Sequence, residues 1–332
     1  MSERDAEVVD DTIVDVTVIV PTFNGADHLD DVLHALARQE FPGTVEILVI
    51  DSGSTDGTVE IVRSHPTVRL HEIPNVEFGH GRTRNLAARL ARGRLLAYLT
   101  QDAIPADQNW LRELTAPLEP DGDDAVAVVG KQIPRAGCFP LAKYEIQGVF
   151  ARLGPEGRTT VVQKNDADGP DTFYSDVNSA TRRDFLLETI PYRDVPYSED
   201  LAFGADVVAA GYRKAYAPGG AVIHSNDLTL REYGARIFDE VVGMRRVGER
   251  TAAFGLLKMF AHIGYGVLGD SVRIVRDPDY GVAHTIGWLL RNPAYHVARW
   301  VSYRRANRVD LSDVAAIERG SLEHARTRTA RS

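Results

Sequence analysis

The sequence is poor in cysteine: Cys138 is the single one in 332 residues. One thiol cannot form an intrachain disulfide or a thiolate metal site, so a bound metal would need carboxylate, imidazole or ligand atoms. The first residues, MSERDAEVVDD, lack the apolar core of a signal peptide. We therefore expect a cytoplasmic protein.

Long apolar runs and excess positive charge are also missing. The most apolar stretch, AAFGLLKMFAHIGYGVLG, is interrupted by Lys258 and His262, which predicts no membrane span. The formal net charge of -9 argues against general nucleic-acid binding, which needs a basic surface. We expect no nucleic-acid partner.

Glycine-rich phosphate-binding loops are missing after the first apolar run. That run leads into Pro21-Thr22-Phe23-Asn24-Gly25 rather than G-x-G-x-x-G, which argues against a nicotinamide-dependent oxidoreductase. A sugar nucleotidyltransferase would show a glycine-rich loop with a basic residue at the same place, and none is there.

What the first half does contain is a regular alternation of strands and helices. Short apolar runs predict five strands, at residues 16–20, 45–50, 68–73, 95–100 and 125–130. Repeated β-α-β units imply an α/β, Rossmann-like fold with a mostly parallel, twisted sheet flanked by helices. The polar segments PTFN, DSGSTD and TQD follow three of these strands, where ligands bind in such sheets.

The rest of the chain is less regular before it becomes helical. Residues 132–170 suggest a long functional loop or small subdomain, residues 172–180 a further strand, and residues 199–210 a helix ended by Gly211. The predicted organisation is a flexible N-terminus (1–14), a catalytic domain (15–226), a helical C-terminal region (227–325) and a flexible tail (326–332).

Two residues at strand ends are candidate metal ligands. Asp102 stands in a polar turn, and His224 follows another apolar run. One carboxylate, one neutral imidazole and the oxygens of a diphosphate form a suitable ligand set for Mn²⁺ or Mg²⁺. A turn aspartate and a structural histidine would show the same pattern.

Acidic residues at two other positions are candidates for catalysis and nucleoside binding. Glu199 and Asp200 open a helix, where a carboxylate could take the proton of an acceptor hydroxyl. The helix dipole favours the same pair without any function. Asp51, with Ser54 and Asp56, either contacts a nucleoside or caps the following turn.

A glycine-flanked segment, FGHGRTRN, precedes a predicted helix. Its backbone N–H groups could face a phosphate, and Arg84 could contact that phosphate directly. A solvated loop remains the alternative for this segment.

Taken in order, these segments resemble the family 2 inverting glycosyltransferases of the GT-A fold, over about two-thirds of the chain. VTVIVPTFNGADHLDDVLHALARQ and VEILVIDSGSTDGT are similar to the opening strand and the nucleotide-binding turn of that family. FGHGRTRNLAA and LLAYLTQDAIPADQNWL are similar to its rhamnosyltransferase branch, which uses dTDP-rhamnose. FYSDVNSATRR and YSEDLAFGADVVAAGYRKAYAPGGAVIHS resemble the sugar-side segment and the E-D helix with the terminal histidine.

The resemblance implies roles for individual residues. Asp200 would be the general base, Glu199 would orient the acceptor, and Asp102 and His224 would hold a divalent cation, Mn²⁺ or Mg²⁺. Thr100-Gln101-Asp102 departs from the D-x-D triplet frequent in the family. The expected donor-binding residues are Pro21, Thr22, Asn24, Asp51, Asp56, His80, Gly81, Arg84, Asn85, Asp102, Ser175 and Asn178.

The implied activity is transfer of a sugar, with inversion, from a nucleotide-diphosphate donor to an acceptor hydroxyl. Rhamnose from dTDP-rhamnose is the expected donor, and a growing lipid-linked glycan the expected acceptor. A non-catalytic member of the same fold, which binds a glycan or a nucleotide sugar, remains an alternative. The oligomeric state is left open.

The C-terminal region carries a basic and aromatic stretch. Arginines at 299, 304, 305 and 308 interleave with Trp300, Val301 and Tyr303. The stretch is either a solvated helix docked on the catalytic domain or an interfacial helix at the inner face of the cell membrane.

Overall fold

The computed structural model describes residues 14–154, 157–166, 171–226, 228–248, 251–322 and 324–325. Residues 1–13 and 326–332, which include nearly all of the predicted flexible ends, lie outside the described residues. The proposed division of the chain into domains therefore stays a prediction.

A nine-stranded sheet forms the centre of the described part of the chain. In chain order its strands are β1 (Val16–Thr22), β2 (Val45–Asp51), β3 (Val68–Glu72), β4 (Leu95–Leu99), β5 (Ile104–Pro105), β6 (Ala127–Ile133), β7 (Thr160–Val162), β8 (Asn178–Arg182) and β9 (Lys214–Ile223). The order across the sheet is β3-β2-β1-β4-β8-β6-β9-β5, and β7 also pairs with β9.

The sheet has a parallel half and a mixed half. Strands β3, β2, β1 and β4 are parallel neighbours, whereas β8 runs antiparallel to both β4 and β6. Strand β9 is parallel to β6 and antiparallel to β5 and β7. All five predicted strands are present and the α/β class is confirmed, but the second half of the sheet is less parallel than predicted, because apolar runs do not report strand direction.

Helices cover the sheet and form most of the C-terminal region. They are α1 (Leu29–Ala37), α2 (Thr58–Ser64), α3 (His80–Leu90), α4 (Trp110–Thr115), α5 (Pro140–Leu153), α6 (Arg183–Glu188), α7 (Glu199–Ala209), α8 (Leu230–Arg246), α9 (Leu256–Arg276), α10 (Val282–Ala306) and α11 (Val314–Glu318). None of the helices in the described ranges is both long enough and apolar enough to cross a bilayer.

Both faces of the central strands are buried. In β1, Val18 and Val20 belong to one apolar cluster with Leu29 of α1 and Trp110 of α4. Ile19 of the same strand belongs to a second cluster on the opposite face. Burial on both sides explains why the strands are continuous apolar runs rather than alternating ones.

Three predicted boundaries are corrected. The strand expected at residues 172–180 begins only at Asn178, after a turn in which the Asn178 N–H donates to the Ser175 carbonyl. The described residues of 132–170 include the 14-residue helix α5 and strand β7, so of the two alternatives for this segment the long loop is wrong. Helix α3 begins at His80, so the segment expected to be a phosphate-facing loop is helical.

Helix α5 connects the sheet to the C-terminal helices. Phe139, just before α5, packs against Tyr233 of α8 and Tyr295 of α10. The buried ammonium group of Lys143 pairs with Asp277 and Asp279, between α9 and α10, at 2.6 and 2.7 Å. These contacts fix the helical region against the catalytic half of the chain.

The basic and aromatic stretch of α10 packs mostly against neighbouring helices. The Trp300 ring stacks on His262 with the ring centres 4.5 Å apart, and Tyr303 stacks on Phe254. Arg299 pairs with Glu145 of α5 at 3.2 Å. These contacts agree with a helix docked on the rest of the molecule.

Candidate active site

The loops after β1 and β2 are held together by the buried carboxylate of Asp51. One of its oxygens accepts hydrogen bonds from the N–H groups of Gly53 and Ser54, at 3.0 and 2.9 Å. The other accepts from the hydroxyls of Thr22, at 3.0 Å, and Ser54. Asp51 therefore caps its own turn, and its contact with a nucleoside stays a prediction.

Asn24 and Asp56 brace the same two loops. Asn24 has a positive φ of 48° and its side-chain oxygen accepts from the Thr55 N–H at 2.9 Å. Asp56 accepts from the N–H groups of Ala26 and Thr58, at 3.0 and 3.1 Å. Pro21 lies beside them in β1, opposite Ile50 of β2. The predicted nucleoside-side residues therefore share one edge of the sheet.

Gln101, which sequence reasoning assigned no role, joins this edge to β4. Its side-chain oxygen accepts from the Phe23 N–H at 2.9 Å, and its amide nitrogen donates to the Phe23 carbonyl at 3.2 Å. A Cβ on Gly25 would lie 2.4 Å from the Gln101 oxygen, so glycine is needed for this close approach. An amide can both donate and accept here, which a carboxylate cannot.

Asp102 and His224 face each other at the end of the sheet. Asp102 Oδ2 lies 3.4 Å from His224 Nε2, and the pairing of Ile104 with Ile223 between β5 and β9 places them there. Burial alone would raise the pKa of Asp102, but the hydrogen bond and charge of His224 lower that pKa to about 2. Asp102 is therefore an ionised carboxylate at neutral pH.

His224 is oriented by groups that were not predicted. Its Nδ1 lies 3.2 Å from the Gln132 side-chain oxygen, while the Gln132 amide donates to Ser175 Oγ at 3.3 Å. With the Nδ1 proton donated to Gln132, Nε2 is left as the nitrogen that faces Asp102. The Arg135 guanidinium donates to the carbonyl groups of Asp102 and Ser225 and holds both segments together.

This pair suits a divalent cation. An unprotonated imidazole nitrogen and a carboxylate oxygen repel each other at 3.4 Å unless a proton or a metal lies between them. The hydrogen bond from His224 Nδ1 to Gln132 is the kind of second contact that orients metal-binding histidines. A separate exposed group, Asp30, His34 and His65, also brings three potential ligand atoms within 4.8 Å of one another.

A second cluster of charges surrounds Arg84. Its guanidinium is buried, lying 2.6 Å from Glu199 Oε1 and 2.9 Å from Asp176 Oδ2. Asp176 also accepts from the hydroxyls of Ser179 and Tyr192, at 2.6 and 2.7 Å. Arg84 therefore neutralises two buried carboxylates, and its contact with a phosphate stays a prediction.

Asp200 lies at the edge of this cluster and is half-buried. It accepts hydrogen bonds from the N–H groups of Leu201, at 2.8 Å, and Asp176, at 3.3 Å. Burial, together with the negative charges of Glu199 and Asp176, raises the pKa of Asp200 to about 7. A carboxylate with that pKa can take up and release a proton near neutral pH.

The two clusters meet at consecutive residues. Ser175 contacts Gln132, which orients His224, and Asp176 contacts both Arg84 and the Asp200 carboxylate. The candidate base and the candidate metal pair are therefore connected through the turn before β8. Asp176 had no distinguishing signal in the sequence, since Arg84, Tyr192 and Asp200 contact it from distant parts of the chain.

Two of the predicted donor-binding residues make structural hydrogen bonds. Asn178 is fully buried, accepts from the Trp110 indole at 2.9 Å and donates to the carbonyls of Lys131 and Gly220. These contacts fix Asn178 in the sheet, and its part in donor binding stays a prediction. The Asn85 side chain makes two hydrogen bonds with the Tyr192 backbone: its amide nitrogen donates to the carbonyl, and its oxygen accepts from the N–H.

The start of α3 packs against the segment before α7. A Cβ on Gly81 would lie 2.1 Å from the Arg193 carbonyl oxygen, so this glycine allows close contact between the two segments. The His80 ring lies edge-on to Tyr197, with the ring centres 6.4 Å apart. Gly81 therefore serves packing, and donor contact by His80 stays a prediction.

Comparison with known proteins shows similarity to one enzyme family. Residues 17–188, slightly more than half of the chain, match the family model "Glycosyl transferase family 2". The O-antigen chain rhamnosyltransferase RfbN of Salmonella typhimurium is 34% identical over 232 residues, 68% of this chain and 70% of that protein. WbaN of Salmonella anatum, also named an O-antigen chain rhamnosyltransferase, is 32% identical over 231 residues, 67% of this chain and 70% of that protein.

Solved structures share the fold at lower identity. The mannosyltransferase PcManGT of Pyrobaculum calidifontis, in complex with GDP-Man and Mn²⁺, superposes with a TM-score of 0.52 at 20% identity and covers 97% of this chain and 82% of its own. Staphylococcus aureus TarS with UDP-GlcNAc gives 0.53 at 18% identity, covering 92% and 79%. These likenesses establish the GT-A fold. The chain therefore belongs to glycosyl transferase family 2 and is a nucleotide-sugar-dependent glycosyltransferase.

Proposed function

We propose that this enzyme transfers rhamnose from dTDP-rhamnose to a hydroxyl group of a growing, lipid-linked glycan, with inversion at the anomeric carbon. The names of RfbN and WbaN describe rhamnosyl transfer to an O-antigen chain. The segments around Arg84 and Asp102 resemble the dTDP-rhamnose-dependent branch of the family. Both similarities support the donor and the class of acceptor.

The observation that carries the chemistry is the environment of Asp200. The pKa of Asp200, about 7, suits a general base. The turn at residues 175–176 connects Asp200 to the groups that orient His224. The acceptor hydroxyl attacks the anomeric carbon, Asp200 takes the hydroxyl proton, and the bond from that carbon to the diphosphate oxygen breaks. The products are the glycoside and dTDP.

The number of available carboxylates supports inversion. Retention through a covalent double displacement would need a second carboxylate as nucleophile. Glu199 and Asp176 are both committed to Arg84, so Asp200 is the carboxylate of this cluster that is left to act as a base. A single displacement with one base inverts the anomeric centre.

Asp102 and His224 would hold a divalent cation, Mn²⁺ or Mg²⁺. When bound, such a cation neutralises the negative charge that develops on the leaving diphosphate. The Mn²⁺ in the PcManGT complex supports a cation in this fold. Asp102, ionised because its pKa is about 2, retains its charge for this role across the physiological range.

A donor panel tests the proposal. We would incubate the enzyme and Mn²⁺ with dTDP-rhamnose, UDP-GlcNAc or GDP-mannose, and with a glycan primer ending in a free hydroxyl. We expect transfer from dTDP-rhamnose at a kcat/KM at least tenfold above the others, and NMR of the product should show an inverted anomeric centre. Preference for another donor, or a product that retains the anomeric configuration, would contradict the proposal. Donor binding without hydrolysis or transfer would indicate a non-catalytic protein.

A further inference from the structure

Helix α9 presents a broad apolar face to solvent. Leu257 and Leu268 are 89% and 71% exposed, and Phe260 and Val275 are each 63% exposed. These positions recur at helical spacing, while Met259 and Ile274 on the opposite face are buried. An exposed apolar stripe of this length is uncommon on a soluble surface and indicates a binding surface.

Helix α10 presents a similar stripe. Val282 and Leu290 are 79% and 78% exposed, and Ile286 lies midway between them, also exposed. Val297 and Val301 continue the stripe toward the C-terminal end, whereas residues 292, 295 and 296 on the other side are buried. The spacing of about four residues places the exposed members on one face of the helix.

The two helices share one shallow groove at one end of the pair. It is lined by the exposed Leu256 and the buried Met259 of α9, by Val301 of α10 and by the arginines at 304, 305 and 308. Asn292 of α10 fastens the helices by donating to the Val267 carbonyl, at 3.0 Å, and to Ser271 Oγ. We call the exposed residues of α9 and α10, with this groove, the α9–α10 surface.

The charge around this surface has the opposite sign to that of the chain. Residues 256–306 contain Lys258 and six arginines but three aspartates and no glutamate, within a chain of net charge -9. Asp270 pairs with His296, and Asp277 and Asp279 pair with Lys143. Arg273 also pairs with Asp270, and Arg299 with Glu145, so the excess of basic charge that this region shows to a partner comes from its other arginines and Lys258.

We infer that the α9–α10 surface docks on an anionic lipid bilayer, with its apolar side chains among the acyl chains and its arginines at the phosphate groups. An apolar helix face bordered by basic residues is what such an interface requires. A second copy of the same face would bring arginines against arginines, which disfavours self-association. The inference concerns where the enzyme works and does not rest on the identity of the donor.

Vesicle co-sedimentation of the full chain tests the inference. Vesicles of phosphatidylcholine alone would be compared with vesicles that also contain phosphatidylglycerol, at low and high salt. We expect binding to the anionic vesicles that weakens as salt increases. A double variant, Leu257→Asp with Leu268→Asp, should bind about tenfold more weakly or worse, because two charged groups would have to enter the bilayer in place of two apolar ones.

The controls make the outcome decisive. Both leucines are exposed, so the double variant should keep the wild-type melting temperature, and its transfer to a water-soluble acceptor should be unchanged. Val76→Asp, at an exposed apolar site outside the α9–α10 surface, should bind vesicles like the wild type. Absence of binding to anionic vesicles at low salt, or equal binding by the double variant, would overturn the inference. A wild-type dimer that the double variant loses would also overturn it, because the surface would then be a subunit interface.

Discussion

Arg84 shows how one buried cation organises the acidic residues around it. Its guanidinium lies between Glu199 and Asp176, and the Tyr98 hydroxyl donates to its backbone carbonyl at 3.0 Å. Two carboxylates this deeply buried would not remain charged without a cation. Arg84 therefore determines the charge beside Asp200 and positions the turn that contains Asp176.

Replacing Arg84 should mainly destabilise the protein. Arg84→Gln leaves two buried carboxylates without their cation, which typically costs about 3–5 kcal/mol in the free energy of unfolding. Arg82→Gln on the same helix removes an exposed partner of Asp194 and should cost less than about 1 kcal/mol. Urea unfolding of both variants measures the difference, and equal stabilities would show that the buried pairs are unimportant.

Asp200→Asn should keep donor binding and abolish transfer. In the wild type, kcat/KM should rise about tenfold per pH unit below pH 7 and level off above it, because the base must be deprotonated. Because the pKa of Asp200 is higher in the folded than in the unfolded protein, this group stabilises the folded state at low pH, and the stabilisation is lost as the pH rises toward 7. At neutral pH the folded protein therefore gains nothing from this carboxyl, and the asparagine variant should be no less stable than the wild type. Asp206→Asn, on the exposed side of α7, is the control. Normal activity in Asp200→Asn would place the base elsewhere.

His224→Ala should weaken the Mn²⁺-dependent part of donor binding by roughly tenfold or more. Isothermal titration of dTDP-rhamnose, with and without Mn²⁺, measures this effect. His34→Ala is the matched control, because His34 belongs to the other group of potential metal ligands. Loss of the metal effect in His34→Ala but not in His224→Ala would move the functional metal to the exposed group.

The sequence was informative about site residues that directly follow strands. Asp51, Asp102 and His224 could be selected because apolar runs end beside them. Gln132, Arg135 and Asp176 could not be selected, because their roles depend on contacts between segments that are distant in the chain. The hydrogen bond between Asn178 and Trp110 could not be predicted for the same reason, because it forms only after folding.

At the level of elements, the start of α7 controls how the acidic pair is presented. Ser198, the residue before the helix, has a left-handed backbone with a φ of 66°. Gly243 of α8 packs against it so closely that a Cβ there would lie 2.2 Å from Ser198 Oγ. Helix α8 therefore fixes Ser198, the residue from which Glu199 and Asp200 follow at the start of α7.

Gly243→Ala should reduce transfer more than it reduces stability. Alanine gains about 1 kcal/mol of helix propensity over glycine, but the added methyl group pushes Ser198 and the acidic pair out of position. A displacement of about 1 Å can lower kcat by roughly a hundredfold. Gly234→Ala, on the same helix, where the nearest atom would be Ser302 Oγ at 3.1 Å, is the control. Equal kcat values would show that the contact does not position α7.

Element types were easier to predict than element directions. Apolar runs identified β1 to β4 and β6, and Gly211 marked the end of α7 with a φ of 92°. Helix α5 was missed because its Lys143 and Glu145 suggest a solvent-exposed segment. Both side chains are paired with residues of the C-terminal region, which local sequence does not reveal.

For the whole molecule, Lys143 connects the catalytic half to the C-terminal helices. Lys143→Met would leave Asp277, which is nearly buried, without its cation, at a cost of about 3 kcal/mol. Burial raises the pKa of Asp277, but the Lys143 hydrogen bond and other contacts lower it below the usual value. The wild type should therefore lose this stabilisation as the pH falls below about 4, and the variant should lose less.

Urea unfolding at pH 7 and pH 3.5 measures both effects. Lys164→Met, which removes an exposed ammonium group that donates to the Ala209 carbonyl, is the control. Equal stability of Lys143→Met and the wild type at pH 7 would show that the two halves of the molecule are held together by apolar packing alone.

The two-residue strand β5 has a consequence for how the enzyme matures. Its pairing with the last residues of β9 brings together a carboxylate and an imidazole encoded far apart in the chain. During synthesis, β9 is the last strand of the described sheet to leave the ribosome, so Asp102 is made long before its imidazole partner His224. The pair that we expect to hold a cation therefore forms only when the sheet is complete.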